Sequence, residues 1–263
     1  MNDLIYVFCL TNTLPELTRK EEFSGLMCIA SGDFYAIVKM VPESEFSEEN
    51  LKKNLSDFDW LDKNARMHVN IISMLMEDNT VIPFNFGTIY LSEKPLKQFI
   101  TDYTDSLIEN LLIVEWKEEW AIKLYSNHDV LKEHIDSLSP EAAELERQIM
   151  ASSPGKAFLL GRKKAVFIEN EIDVLCKKYG QEYFDEFKKI SYSTALNNIV
   201  PKEYTDRKDE MILHAAFLVN KDKAIEFVSV VKQMKNKYAG FGFDVEITGP
   251  WPPFSFISIK ENQ

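Results

Sequence analysis

Imidazole is the side chain for proton transfer near neutral pH, and this chain has four: His68, His128, His134 and His214. None sits in an HExxH pair, and none stands at zinc-finger spacing from Cys9, Cys28 or Cys176. His128 and His134 are six residues apart, which puts them on different faces of a helix. His68 falls on or beside the apolar stripe of a helix and reads as a hydrogen-bonded core histidine; His214, within a strand, reads the same way. The nearest approach to a phosphate loop, Pro154-Gly155-Lys156-Ala157, has Met150 where the first glycine should be and Ala157 where a hydroxyl should be. Gly240-Phe241-Gly242 follows a helix instead of a strand and has Val245 at the third glycine position, so it reads as a helix C-cap and turn. There is no GxSxG elbow. Glu115, Glu118 and Glu119 read as a solvated helix end and turn. These patterns assign no catalytic residue, no metal ligand and no cofactor.

The segment that stands out is apolar and rich in proline: Gly249-Pro250-Trp251-Pro252-Pro253-Phe254-Ser255-Phe256. Prolines fix φ and place the neighbouring rings rigidly, so little entropy is lost if the segment grips a partner. Trp251, Pro252, Pro253 and Phe254 are therefore the candidate partner-binding residues. The alternative is a rigid turn with Trp251 folded into the core. A second segment, Val81-Ile82-Pro83-Phe84-Asn85-Phe86-Gly87-Thr88, puts proline in a strand, which belongs at a sheet edge or bulge.

The elements that must carry these residues follow from periodicity. Leu4–Leu10, Leu26–Ser31 and Phe34–Val41 read as strands, the last two joined by a hairpin at Ser31-Gly32-Asp33. From Ser47 the apolar steps of three and four predict one long amphipathic helix reaching Leu75. A strand over Val81–Tyr90, a helix capped by Ser92 and running to Val114, and a strand over Glu119–Tyr125 follow. Helices gathered on one face of a mainly antiparallel sheet would make an α+β sandwich. Further on, a helix is expected over Lys156–Ile190, then strands near 193–200 and 211–219, a helix over Lys221–Tyr238, and strands near 243–249 and 254–259. This half is α+β too, a modified ferredoxin-like arrangement.

Length and charge bound the function. The 263 residues suit two domains. Residues 1–126 hold 11 basic and 21 acidic side chains, and 127–263 hold 19 and 21. With a Ser-Pro-rich connector between them, the expected division is a 1–126 acidic α+β domain and a 127–263 α+β domain with the long helix. A net charge of −12 argues against nucleic-acid binding, which rests on Lys and Arg replacing counterions. Three scattered cysteines suit buried thiols in a reducing cytosol. The absence of a long apolar run and of a basic leader points to a cytoplasmic chain without membrane association.

Read in order, several pieces resemble the gas vesicle accessory proteins of the F/L family (GvpF/GvpL). They are Tyr6-Val7; Trp60-Leu61 through Ala65 and His68; Ile82 to Thr88; Glu119-Trp120-Ala121-Ile122-Lys123; Gly155 to Leu160 with Arg162 and Lys163; Leu213 to Val219; and Thr248 to Phe256. Asn85, Ala121 and His214 depart from the family's usual Arg, Gly and Asn. The resemblance implies a two-domain α+β protein whose C-terminal part is a modified ferredoxin-like fold, with no enzymatic activity and no cofactor. It implies a gas vesicle assembly factor or minor structural component that binds the hydrophobic shell protein, limits its aggregation during nucleation, and meets other accessory proteins. A small-molecule-binding regulatory or enzymatic α+β module is the alternative, which a deep pocket around His68 or His214 would favour. A scaffold acting through the long helix would expose Tyr179 and Phe187.

Overall fold

Every residue from Leu4 to Leu10 is apolar, and a strand with two apolar faces needs a cover on each. The computed structural model describes residues 3–18, 21–205 and 207–260, and in it this strand, β1 (Asp3–Thr11), is buried along nearly its whole length. After it come β2 (Leu26–Ser31), β3 (Phe34–Pro42), α1 (Glu43–Phe46), α2 (Glu48–Asn54), α3 (Phe58–Met76), β4 (Val81–Pro83), β5 (Ile89–Tyr90), α4 (Glu93–Asp102) and α5 (Thr104–Val114). The sheet runs β2-β3-β1-β4, with β5 also on β1. Leu4, Tyr6 and Phe8 face one core with Phe46, Ile72 and Leu75. Ile5 and Val7 face a second core with Leu96, Ile100, Leu107 and Leu111. A register shift between Val7 and Cys9 lets Cys9 join the first core and Leu10 the second. Helices therefore cover both faces of this sheet, where the sequence suggested one.

Three expected elements are interrupted. The long helix from Ser47 breaks at residues 55–57, because Asp57 accepts from the Trp60 amide and caps a new helix, α3. The helix after Ser92 breaks at Tyr103 into α4 and α5. The strand over Val81–Tyr90 splits into β4 and β5 around a loop through Gly87, whose φ of 81° suits glycine. Pro83 lies in β4, the end strand of the sheet path, where a missing N–H is tolerated.

The second unit comprises β6 (Lys117–Ser126), α6 (His128–Glu133), α7 (Ile135–Leu138), α8 (Pro140–Met150), α9 (Pro154–Lys188), β7 (Ser193–Leu196), β8 (Glu210–Asn220), α10 (Ala224–Tyr238) and β9 (Phe243–Trp251). Its sheet order is β7-β8-β6-β9. With the connectivity strand, helices, strand, strand, helix, strand, this is the ferredoxin-like pattern, with the first crossover enlarged into α6–α9. The second half of α9 and one face of α10 close the core through Leu175, Tyr179, Tyr183, Phe187, Phe227 and Val231. Tyr179 and Phe187 are thus buried, against the scaffold expectation. In the first half of α9, Lys164 turns inward to Asp136 and Glu146, at 2.7 and 2.8 Å.

The chain divides into two compact units, residues 1–119 with 250–263, and residues 120–249. The expected boundary after residue 126 differs from this at both ends. β6 is an interior strand of the second sheet, and the residues from Pro250 onward belong with the first unit. The expected strand near 254–259 is a 3₁₀ turn, Phe254–Phe256, because Pro252 and Pro253 remove two ladder donors just before it.

Gly242 has a φ of 88°, and a Cβ there would lie 2.9 Å from the Asn127 carbonyl oxygen, whereas Gly240 has open space. Gly242→Ala should destabilise the protein by about 1–3 kcal/mol, with Gly240→Ala within about 0.5 kcal/mol of wild type, in urea unfolding. Equal effects at the two positions would contradict the assigned backbone.

Candidate functional site: an aromatic and histidine cluster

Separate stretches of the first unit meet at one buried imidazole. His68 comes from the inner face of α3, Tyr6 from β1, Phe84 and Phe86 from the loop after β4, and Phe254 from the segment following Pro253. Nε2 of His68 lies 2.9 Å from the Phe84 carbonyl oxygen. A carbonyl only accepts, so Nε2 carries the proton and Nδ1 is left as an acceptor, filled by the Tyr6 hydroxyl at 2.8 Å. The Tyr6 oxygen in turn accepts the Gly87 amide at 3.3 Å. Phe8 stacks on the imidazole at 5.5 Å between centroids, Phe86 meets it edge-on at 5.8 Å, and Phe254 lies 6.2 Å away. Trp60 extends the cluster through Phe46 and Phe86.

With 1% of its surface exposed and both nitrogens engaged, His68 has no ring atom left for a substrate proton. Burial holds its pKa below the usual imidazole range, with the Phe84 carbonyl opposing. Burial also pushes the Tyr6 phenol up. The core-histidine reading therefore describes the geometry of His68.

The proline-rich segment is tied down at two points. Glu119 is buried in β6, and its carboxylate accepts from the Ser255 amide at 2.8 Å and from the Ser255 hydroxyl at 2.7 Å. This corrects the expectation of a solvated Glu119; Glu118 is buried as well. Burial raises the Glu119 pKa while the two Ser255 bonds pull it down. Further along, the Asn110 side chain bonds both the amide and the carbonyl of Ser258, and the Lys260 amide donates to the Ser106 hydroxyl. The sequence reading gives Ser106, Asn110 and Glu119 no contact with this segment. A polar residue on an otherwise apolar helix face was the available signal for the first two.

Of the four residues expected to bind a partner, Pro252 and Pro253 are buried, Phe254 is half-buried against His68, and Trp251 is 39% exposed at the end of β9. Structure thus divides the segment into an anchor and one accessible indole. His214 is also apart from this cluster, with Nδ1 at 2.9 Å from the Asn198 carbonyl.

Several other charged groups are engaged structurally. Arg207 sits 4.0 Å over the Tyr125 ring and pairs with Asp209, Asp244 and Glu246. His128 approaches Glu210 at 3.3 Å. Cys9 and Cys28 both lie opposite Ile37, two strand spacings apart, or roughly 9.5 Å, which is beyond disulfide reach. Among the described residues no group of three His, Cys, Asp or Glu side chains could hold a metal, and no buried side-chain polar atom lacks a partner. No described helix is long and apolar enough to cross a membrane.

These features define a two-unit α+β protein whose most distinctive site is an interlocked aromatic core. The sequence profile described as "Gas vesicle synthesis protein GvpL/GvpF" matches residues 4–258, and the chain belongs to that family. Gas vesicle protein L of Streptomyces sp. (strain CB03234) is 24% identical over 98% of this chain and 94% of its own. Gas vesicle protein F1 of Halobacterium salinarum is 21% identical, covering 75% and 70%. The crystal structure of GvpF from Anabaena sp. PCC7120 superposes with a TM-score of 0.68 at 17% identity, over 98% of this chain and all of that one. GvpF from Microcystis aeruginosa gives 0.64 at 16% identity, over 97% and 99%.

Two measurements test the cluster. Because the folded state prefers neutral His68, the unfolded chain binds the extra proton below about pH 6.5, so this stabilisation is complete above that pH and lost as pH falls through the depressed folded value. Wild type should therefore lose stability relative to His68→Gln on going from pH 7 to 5, by at most about 1.4 kcal/mol per pH unit; a constant difference refutes the assigned protonation. Glu119→Ala removes two hydrogen bonds from Ser255 to a carboxylate and should cost about 1–3 kcal/mol in urea unfolding, whereas no loss would mean the tether is not holding the segment.

Proposed function

We propose that this chain is a non-enzymatic gas vesicle assembly factor or minor structural component, which binds the hydrophobic shell protein and limits its aggregation while a vesicle is nucleated. Membership in the GvpL/GvpF family supports the setting. The observation that carries the non-enzymatic part is the state of His68: the histidine within the distinctive cluster is sealed and fully hydrogen-bonded. A shell subunit rich in apolar surface needs that surface masked until it is added to the wall. A carrier with a net charge of −12 supplies solubility. Its place of action on this reading is the cytoplasm and the growing vesicle, with other accessory proteins as further partners.

The contact is assigned to the segment Trp251, Pro252, Pro253 and Phe254, with Trp251 as the anchor. Buried Pro252 and Pro253 hold the indole in place, and Phe254 locks the segment onto the His68 cluster. An aromatic ring presented on rigid backbone loses little entropy on binding and is the residue type that dominates interface energetics.

Capture of shell protein by the full chain, on co-expression, should fall about tenfold or more in Trp251→Ala, with circular dichroism unchanged. Capture should persist at about 0.5 M salt, where the Debye length is under about 5 Å, because the contact is apolar. Undiminished capture by the folded variant removes Trp251 from the interface. Shell protein that aggregates equally with and without the chain removes the function itself.

A further inference from the structure

Two exposed helix faces carry apolar side chains and opposite charge. From Pro154 to Ile168 the chain has four basic residues and no acidic one, although the whole protein is acidic. Lys164 is taken up by Asp136 and Glu146, which leaves Lys156, Arg162 and Lys163 exposed. Phe158, Leu159 and Val166 are exposed beside them. Positions 158, 159, 162, 163 and 166 share one side of a helix, so apolar and basic groups form a single strip about 15 Å long from Lys156 to Val166.

The opposite composition occurs on α5. From Gln98 to Trp116 there are four acidic residues and no basic one. Asp105, Ile108, Glu109, Leu112 and Ile113 are exposed, and their spacing of three and four makes a strip about 12 Å long. Among the described residues Lys156, Arg162, Lys163, Asp105 and Glu109 make no ion pair. Adjacent apolar groups in water favour an occupant with apolar anchors, and the local charge selects one of opposite sign. Both strips carry apolar anchors over a similar length, and each has the charge that the other lacks.

We infer that the occupant is a second copy of this chain: the basic strip of α9 in one copy docks on the acidic strip of α5 in the next. The two patches differ, so the contact is heterologous and repeats head to tail, as a ring or an open string. Net charge does not prevent it. At about 0.1 M salt the Debye length is about 10 Å, so charge on distant surface is screened while side chains opposed across the contact still attract. The inference does not rest on the shell-protein reading, and purified protein alone tests it.

Sedimentation velocity of the full chain from about 1 to about 100 μM should show species larger than monomer at about 0.1 M salt, with dissociation constants in the micromolar range rising about tenfold or more at about 0.5 M. The double variant Arg162→Glu, Lys163→Glu should stay monomeric, because acidic now faces acidic. Asp105→Lys, Glu109→Lys should do the same with basic facing basic. Mixing the two folded variants makes both junctions complementary and should restore association. A wild type that is monomeric throughout overturns the inference, as do variants that associate like wild type or a mixture that stays monomeric.

Discussion

A buried imidazole hydrogen-bonded to the Tyr6 side chain of β1 and to the Phe84 carbonyl just after β4 is the constraint on which the first unit depends. His68 can serve both Phe84 and Tyr6 only as the Nε2–H tautomer, and the Tyr6 oxygen, while its hydrogen goes to Nδ1, also receives the Gly87 amide. The bonds fix α3 against β1 and set the loop between β4 and β5. Low local polarity makes each bond strong and makes each unfilled position costly. A ring in this setting is a structural part, and its aromatic neighbours form the platform on which Phe254 rests.

From that platform the role of the C-terminal segment follows. Pro252 and Pro253 are buried, Ser255 is held by Glu119, and Ser258 by Asn110, so the backbone on both sides of Phe254 is fixed. Trp251, at the edge of this fixed stretch, is positioned by its neighbours instead of by deep burial of its own ring. A rigid mount with one accessible aromatic is the arrangement an apolar partner can use at little entropic cost.

The second unit solves a different problem. Its ferredoxin-like core is closed mainly by the second half of α9 and by α10, with Leu131 of α6, Ile135 and Leu138 of α7 and Ala142 of α8 buried in the same cluster. The first half of α9 packs with α7 and α8, held by the inward Lys164. Its outward side is left free to be basic and apolar, while α5 of the first unit, whose inner side covers the sheet with Leu107 and Leu111, is outwardly acidic and apolar. Charge in this protein is thus organised by element, which the total of −12 conceals.

Periodicity and turn chemistry by themselves determined the α+β class, the hairpin at Gly32, the long helix α9 and the weakness of every catalytic pattern, because these depend on neighbours within one turn or one strand. The resemblance carried by Thr248 to Phe256 and by Ile82 to Thr88 located the family for the same reason: a rigid, unusual string is recognisable where it stands. Only the tertiary structure decided that β6 lies inside the second sheet, that the residues from Pro250 belong with the first unit, and that Glu119 is buried. Strand order and the partner of a buried carboxylate are set by long-range pairing, since Glu119 and Ser255 are 136 positions apart and nothing local to either records the other.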